Sequence, residues 1–401
     1  MKIKIKIQGA ILLLLGIYLM LFSCKNQYAN EQIPTSSTFK VVSFEPLQKI
    51  DFSNFAKNLE YVVLETHPNY LISSIDKIEV KDSKIYILSK SQKSIFIFSK
   101  SGSIIGKISD FGEGPRKYSG ISDFGVEDNY IYLLTSPSKF IFKYNFSGEL
   151  IEILPTKENY IYELSHIENG WIAHLKDAFD SENNFNVVHW DHTFSDRKNQ
   201  FLYIESERRN SPSVGDNYMS RNSNTLFLIQ NFSNLIYEFK GDSLVLSYEI
   251  LVDGKGLSPD SMKKFNLNPM RATNLAIQEN SFTGIKKILS TNKILFLELM
   301  KGANIVSSFI STETDHLISY LGLDFKFDFG MAGNVIGSDN EKFIMKLSDE
   351  ILNQLKDLDN EGQINENNLK NDDVRKVIKI YEKEGNPVLV FFTVDFNKLQ
   401  K

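Results

Sequence analysis

The amino-acid sequence predicts an all-β fold, a six-bladed β-propeller closed by an N-terminal strand and carrying short helical insertions in its last blade. Three observations predict it. The stretch Asp76–Leu154 matches itself without a gap. Val80 falls on Val126, 46 positions on, Ile85-Tyr86 on Ile131-Tyr132, Ile95-Phe96 on Ile141-Phe142, and Ser101-Gly102 on Ser147-Gly148. Tandem strand units at such a period are the mark of propeller blades. Each unit also reads as four short β-branched or aromatic runs bounded by polar turns, the pattern of an antiparallel meander. The third observation is a pair of apolar runs, Leu59–Leu64 and Val388–Asp395, with no partner nearby in sequence. Pairing them closes the ring and leaves no long edge exposed.

The chain begins with a targeting segment, residues 1–24, which stands outside the fold. Lys2, Lys4 and Lys6 form a basic start, and Ile11–Leu15 with Ile17–Phe22 an apolar stretch. It ends at Leu21-Phe22-Ser23-Cys24, which resembles the bacterial lipoprotein box, although Phe22 is bulkier than the residue usual there. Cys24 is the sole cysteine, so no disulfide forms within the chain and lipidation is the use expected of the thiol. Removing the three lysines takes the formal charge from -5 to -8, which leaves the lipid rather than a basic face to hold the membrane. Residues 25–58 read as tether and lead-in, and 59–401 as the propeller.

Blade one runs through Asp76–Val80, Lys84–Ser89, Ile95–Phe98 and Ile104–Ile108, and blade two repeats it. Gly170–Leu175 and Asn186–Trp190 belong to a third unit, and Thr225–Ile229, Leu235–Phe239 and Leu244–Ile250 to a fourth. Ile294–Leu299 and Ile305–Ile310 mark a fifth, while Asn334–Gly337 and Lys342–Leu347 start a sixth that Val388 completes. Helical spacing appears at Asp260–Phe265, after Ser348 (Ile351, Leu352, Leu355, Leu358) and from Asp372 (Val374, Val377, Ile378, Tyr381). Arg208-Arg209 with Glu205 and Glu207 reads as a salt-bridged loop before blade four.

With these residues in place, the chain resembles the six-bladed β-propeller lipoproteins of Bacteroidetes, related to NHL-like and TolB-like propellers. The resemblance rests on Leu64-Glu65-Thr66, the Ile-Tyr strands with their Ser-Gly turns, Gly112–Tyr118, and Asn386-Pro387-Val388-Leu389-Val390. In that family the Gly-x-Gly-Pro loop continues as Gly-Glu and an aromatic. Here Arg116 and Lys117 replace the pair and Tyr118 remains. The family is largely of unknown function, so the resemblance implies a fold and an envelope address more than an activity.

Composition excludes little beyond a nucleic-acid surface, which a net charge of -5 does not suggest. No nucleophile elbow, phosphate loop or metalloprotease motif is present. His189-Trp190-Asp191-His192 is the one cluster resembling a metal site, but strand alternation puts His192 opposite His189 and Asp191, and the group reads as a solvated strand end. The Gly112–Tyr118 connector, joining the outermost strand of one blade to the innermost of the next, is expected beside the channel mouth. Arg116, Lys117 and Tyr118 there, with Lys157 and Tyr160 in the following connector, are the candidate ligand-binding residues.

Two functions follow. One is a non-catalytic binding or scaffolding lipoprotein for a glycan, peptide or partner protein, attached to the outer membrane, facing the periplasm and needing no cofactor. The alternative is a metal-dependent hydrolase or lyase, lactonase-like, that would hold a channel-bound divalent cation such as calcium on residues such as Asp76, Asp123 and Asn334.

Overall fold

The two matching units fold into matching sheets. The structure is a computed structural model that describes residues 39–399 apart from 128, 159, 178–183, 205–214, 224, 257–268, 325–332, 366–368 and 370. Blade 1 is formed by Lys77–Lys81, Lys84–Ser89, Ser94–Ser99 and Ile104–Ile108, and blade 2 by Ile121–Glu127, Tyr130–Thr135, Phe140–Asn145 and Leu150–Pro155. Even the register repeats. Ile85 pairs with Phe98 as Ile131 pairs with Tyr144, and a bulge falls at Ile97/Phe98 in one blade and Lys143/Tyr144 in the other. The strands run continuously apolar because both faces are covered. Tyr86 and Leu88 pack toward blade 2, while Ile85 and Ile87 pack toward the last blade.

Blade 3 comprises Glu163–Ile167, Gly170–His174, Phe185–Trp190 and Arg197–Tyr203. Blade 4 comprises Met219–Arg221, Leu226–Ile229, Leu235–Lys240 and Ser243–Val252. Blade 5 is built from Phe282–Ser290, Ile294–Lys301, Asn304–Ser311 and Leu317–Tyr320. Blade 6 takes Gly333–Ser338, Phe343–Leu347 and Val388–Val394 from the C-terminal part, and its outermost strand, Ala56–Val63, from the N-terminal part. The six-bladed propeller is therefore closed as its sequence indicates, with Val388 opposite Val63 and Val390 opposite Tyr61. The hydrophobic core is divided into six clusters, one between each pair of neighbouring blades.

The closure seam has its own pin. Asn386 is 1% exposed; its amide donates to the carbonyls of Glu65 (2.7 Å) and Tyr70 (3.0 Å) and its Oδ1 accepts from Ile72 N (2.9 Å). Gly102 turns blade 1 against the same seam at φ +96. A Cβ there would lie 2.3 Å from the Val63 carbonyl oxygen, so no larger residue fits.

Some elements carry no clear sequence signal. Lys40–Phe44 lies parallel on Ser243–Val252 as a fifth strand of blade 4, and Ile50–Asp51 pairs with Leu323–Asp324. The second half of the lead-in thus threads across blades 4 and 5 before it closes blade 6. Helix α1 (Pro269–Gln278) precedes blade 5. Helices α2 (Asp349–Asn360) and α3 (Asp372–Ile380) fall where helical spacing predicts them, inserted in blade 6. Leu352, Leu355, Val374, Val377 and Ile378 seat them on Phe343 and Phe392. Ser348 occupies the cap position of α2 without a side-chain cap bond; Asn371, not singled out in the sequence, caps α3 through Asp373 N and Val374 N. Among the described residues no helix is long and apolar enough to cross a membrane. The leader with Cys24, residues 25–38, the helix at Asp260–Phe265 and the Arg208-Arg209 loop lie outside the described residues.

Candidate functional site

The six innermost strands line a central channel of about 560 Å³. An innermost strand presents an unpaired edge of N–H and C=O groups to that channel, which needs partners. Acids supply them in relay. Glu79 Oε2 of blade 1 accepts from Val126 N of blade 2 (3.1 Å), and Asp123 Oδ2 of blade 2 accepts from Leu164 N of blade 3 (2.7 Å). Glu163 of blade 3 accepts from Tyr218 N and Met219 N of blade 4 (each 2.9 Å). Bases answer in the same sense, with Lys77 Nζ on Phe124 O (2.7 Å) and Lys287 Nζ on Val335 O (3.3 Å).

The repeat places opposite charges at equivalent positions. Lys77 pairs with Asp123 at 2.9 Å and Lys81 with Glu127 at 3.0 Å, each the same residue of the unit in successive blades. Glu127 also receives Arg221 of blade 4 at 2.8 Å and has His166 of blade 3 at 3.6 Å, so one carboxylate of blade 2 ties four blades at one mouth. Its partial burial works against the charge, but Lys81, Arg221 and His166 hold its pKa below the usual carboxylate range. Lys77 is recessed, which disfavours its charge, yet Asp123 and Glu79 keep it protonated beyond the ordinary lysine range. Glu163 has less help. Burial and the charge of Asp123 push it up to about 7, against its bonds to Tyr218 N and Met219 N and the charge of Lys77.

At the other mouth, the rings of Tyr162 and Tyr218 meet edge to face at 5.9 Å. Lys176 Nζ lies 3.4 Å from the Tyr162 ring centre and Lys90 Nζ 5.1 Å from it. His174 stacks on Tyr218 at 4.8 Å; it is fully buried, and neither ring nitrogen has a partner among the described residues. Burial, with the nearby Lys176 charge, lowers its pKa to about 3. Burial likewise brings Lys176 down to about 8; Lys90 adds to that effect, while Glu163 and Asp216 oppose it.

The connector residues expected at the channel lie elsewhere. Arg116 turns outward to the carbonyl of Leu150 on the outermost strand of blade 2 (2.9 Å), and Lys117 pairs with Asp110 (3.2 Å). Tyr118 is 2% exposed between blades 1 and 2, its hydroxyl on Lys93 O at 3.0 Å. Lys157 bonds the Ser195 carbonyl beside Trp190, and Tyr160 is 59% exposed. None of the five lines the channel wall. The reason is geometric: a connector can cross a face outside the inner strands, and Tyr118 fixes this one by burying its ring.

The His189 cluster is a solvated strand end only at Asp191 and His192, which follow the strand at the surface. His189 is fully buried, Asp191 caps its own turn through Ser195 N (2.8 Å), and His192 Nδ1 lies 3.4 Å from His166 Nε2. Of the residues considered for a cation, Asp123 is engaged by Lys77 and Leu164 N, and Asp76 Oδ2 accepts from Lys90 N (2.8 Å). No three His, Cys, Asp or Glu side chains converge as a cation site among the described residues.

The chain belongs to the family described as a domain of unknown function, DUF4934, whose model matches residues 36–393. Among solved structures it is similar to a protein of Bacteroides fragilis described as exported, at 19% identity and a TM-score of 0.73, over 89% of this chain and all of that one. A DUF4221 family member of Bacteroides vulgatus is similar at 13% identity and a TM-score of 0.50, over 85% of this chain and 97% of that one. No curated protein matches the chain. The likeness to both structures concerns the fold, whose six blades the strand order shows directly.

Proposed function

We propose that this protein is a lipid-anchored envelope propeller that binds a glycan, peptide or partner protein without catalysing a reaction. One observation carries the reading. The inner-strand carboxylates Glu79, Asp123 and Glu163 are each committed to backbone N–H groups of the next blade, where they join blades rather than wait for a substrate or a cation. A channel whose acids are structural is a rigid frame for recognition. The basic and apolar leader ending at Cys24 supports attachment to the outer membrane, and the exported description of the Bacteroides fragilis protein supports an envelope address. Lys25-Asn26-Gln27 after the cysteine contains no acid, which favours the periplasmic side.

The test is a thermal-shift screen of the full chain in detergent against neutral and acidic glycans, peptides and divalent cations. Stabilisation by an organic ligand, unaltered by chelator, is the expected result. A shift that requires calcium, accompanied by lactone hydrolysis, would overturn the reading in favour of a metal-dependent hydrolase.

A further inference from the structure

Bases that line the channel wall have acid partners among the described residues, with one exception. Lys77, Lys81, Arg221 and Lys287 each lie within 3.1 Å of a carboxylate. Lys90 shares that wall and has no acid partner among the described residues; its amine instead approaches the ring of Tyr162. Lys176 points its amine at the same ring and also has no acid partner among the described residues. Two cations gathered on one aromatic ring, neither in an ion pair among the described residues, form a place for an anion.

The backbone goes out of its way to deliver one of them. Lys176 and Asp177 are both left-handed, at φ 55 and φ 57, a conformation that strains a non-glycine residue. It is held by Asn186, which is buried and bonds Asp177 twice, at 2.8 and 3.1 Å. Behind the Tyr218 ring lies His174, fully buried, whose nitrogens have no partner among the described residues. The amine of Lys176 is partly buried and lies near Lys90, which agrees with its lowered pKa, although Glu163 and Asp216 oppose the shift. Asp76 and Asp216 rim the opening as well, so a single negative charge suits it better than a double one.

We propose that this mouth is a carboxylate-binding site, in which the ligand's carboxylate lies between Lys90 and Lys176 and its body extends over Tyr162 into the channel. This deepens the binding reading above and rests on it. The carboxylate of a sugar acid and the free C-terminus of a peptide share this chemistry.

Calorimetric titration of the full chain at pH 6.5 separates the sources. The probes are galacturonate, acetyl-dialanine with a free carboxyl group, the corresponding amide, and inorganic phosphate. One of the two carboxylates should bind, the amide should not, and phosphate should bind more weakly. Lys90→Met and Lys176→Met should each weaken binding about tenfold, as the loss of a charge-assisted bond would, whereas Lys176→Arg should retain it. Equal binding of acid and amide, tighter binding of phosphate, or undiminished binding by a stably folded double methionine variant overturns the site. So does silence with both carboxylates while a neutral glycan or peptide amide binds; the general binding reading then survives. Silence with every ligand of the wider screen overturns both.

Discussion

Lys77 and Asp123 occupy the same position in successive repeats, and 2.9 Å separates their charged groups. Identical residues there would repel across the blade interface; the two repeats have diverged into an ion pair. Asp123 is 2% exposed and also accepts from Leu164 N, so it cannot turn to water if its partner is lost. Lys77→Met should therefore cost about 2–3 kcal/mol, below the full range for a buried pair because Lys77 is partly exposed. Lys77→Met with Asp123→Asn should recover part of that loss. Urea denaturation of the three proteins checks it; additive losses would show that the pair is not coupled.

Asn386 should be the most sensitive residue of the closure seam. Its side chain fills three backbone valences from Glu65, Tyr70 and Ile72. Asn386→Ala orphans them in a buried place and should cost about 2–4 kcal/mol. A chain beginning at Thr66, which lacks the closing strand, should be less stable still and should aggregate through the exposed edge of Val388–Val394. A cooperative melt at the wild-type temperature for either protein would reject this account of closure.

Two buried titrating groups shape the acid side of the stability curve in opposite senses. His174 has its pKa lowered to about 3, so its contribution is lost as pH falls below the ordinary histidine range toward 3, where the unfolded chain takes up a proton that the native state refuses. Glu163 is raised to about 7. Its contribution is present below the ordinary glutamate pKa and is lost as pH rises to about 7. His174→Phe should lessen acid destabilisation between pH 6 and 3. Glu163→Gln should remove the loss between pH 5 and 7, at some cost in the bonds to Tyr218 N and Met219 N. Melting temperatures measured from pH 3 to 8 give both slopes; unchanged slopes in the variants would reject the assignment.

Arg116→Ala with Lys117→Ala should leave affinity for a channel ligand unchanged and lower stability by less than about 1 kcal/mol, since both side chains are exposed. Loss of binding in that folded variant would return the connector to the candidate site.

Cys24→Ser should abolish labelling by a metabolically supplied acyl analogue that marks the wild type. Equal labelling of the two proteins would remove the anchor from the proposed function.

Fold and site were unequally legible. An ungapped repeat reports register directly, because Ile85 with Phe98 and Ile131 with Tyr144 must solve the same packing problem. The closing strand was legible as an apolar run without a local partner. The inner strands of blades 3, 4 and 5 gave little signal, since Glu163, Arg221 and Lys287 face a channel and replace the apolar alternation that betrays a strand. The mouth was hidden for a related reason: Lys90, Tyr162 and Lys176 come from a turn, a connector and a left-handed bend in two blades. One signal was available. Lys77 over Asp123 and Lys81 over Glu127 are charge reversals at matched positions, which is where facing residues of neighbouring blades would be sought.

The fifth strand of blade 4 has a mechanical consequence. Lys40–Phe44 is zipped to Tyr248–Val252 over five residue pairs, and Leu47 and Ile50 are then stitched to Ser319 and Gly322 of the blade 5 region at 2.9 and 3.1 Å. A tug on the chain upstream of Lys40 is therefore absorbed by blades 4 and 5 before any load reaches Ala56–Val63. The ring's own clasp sits behind a strain relief, so traction applied ahead of Lys40 can peel a peripheral strand without springing the propeller open.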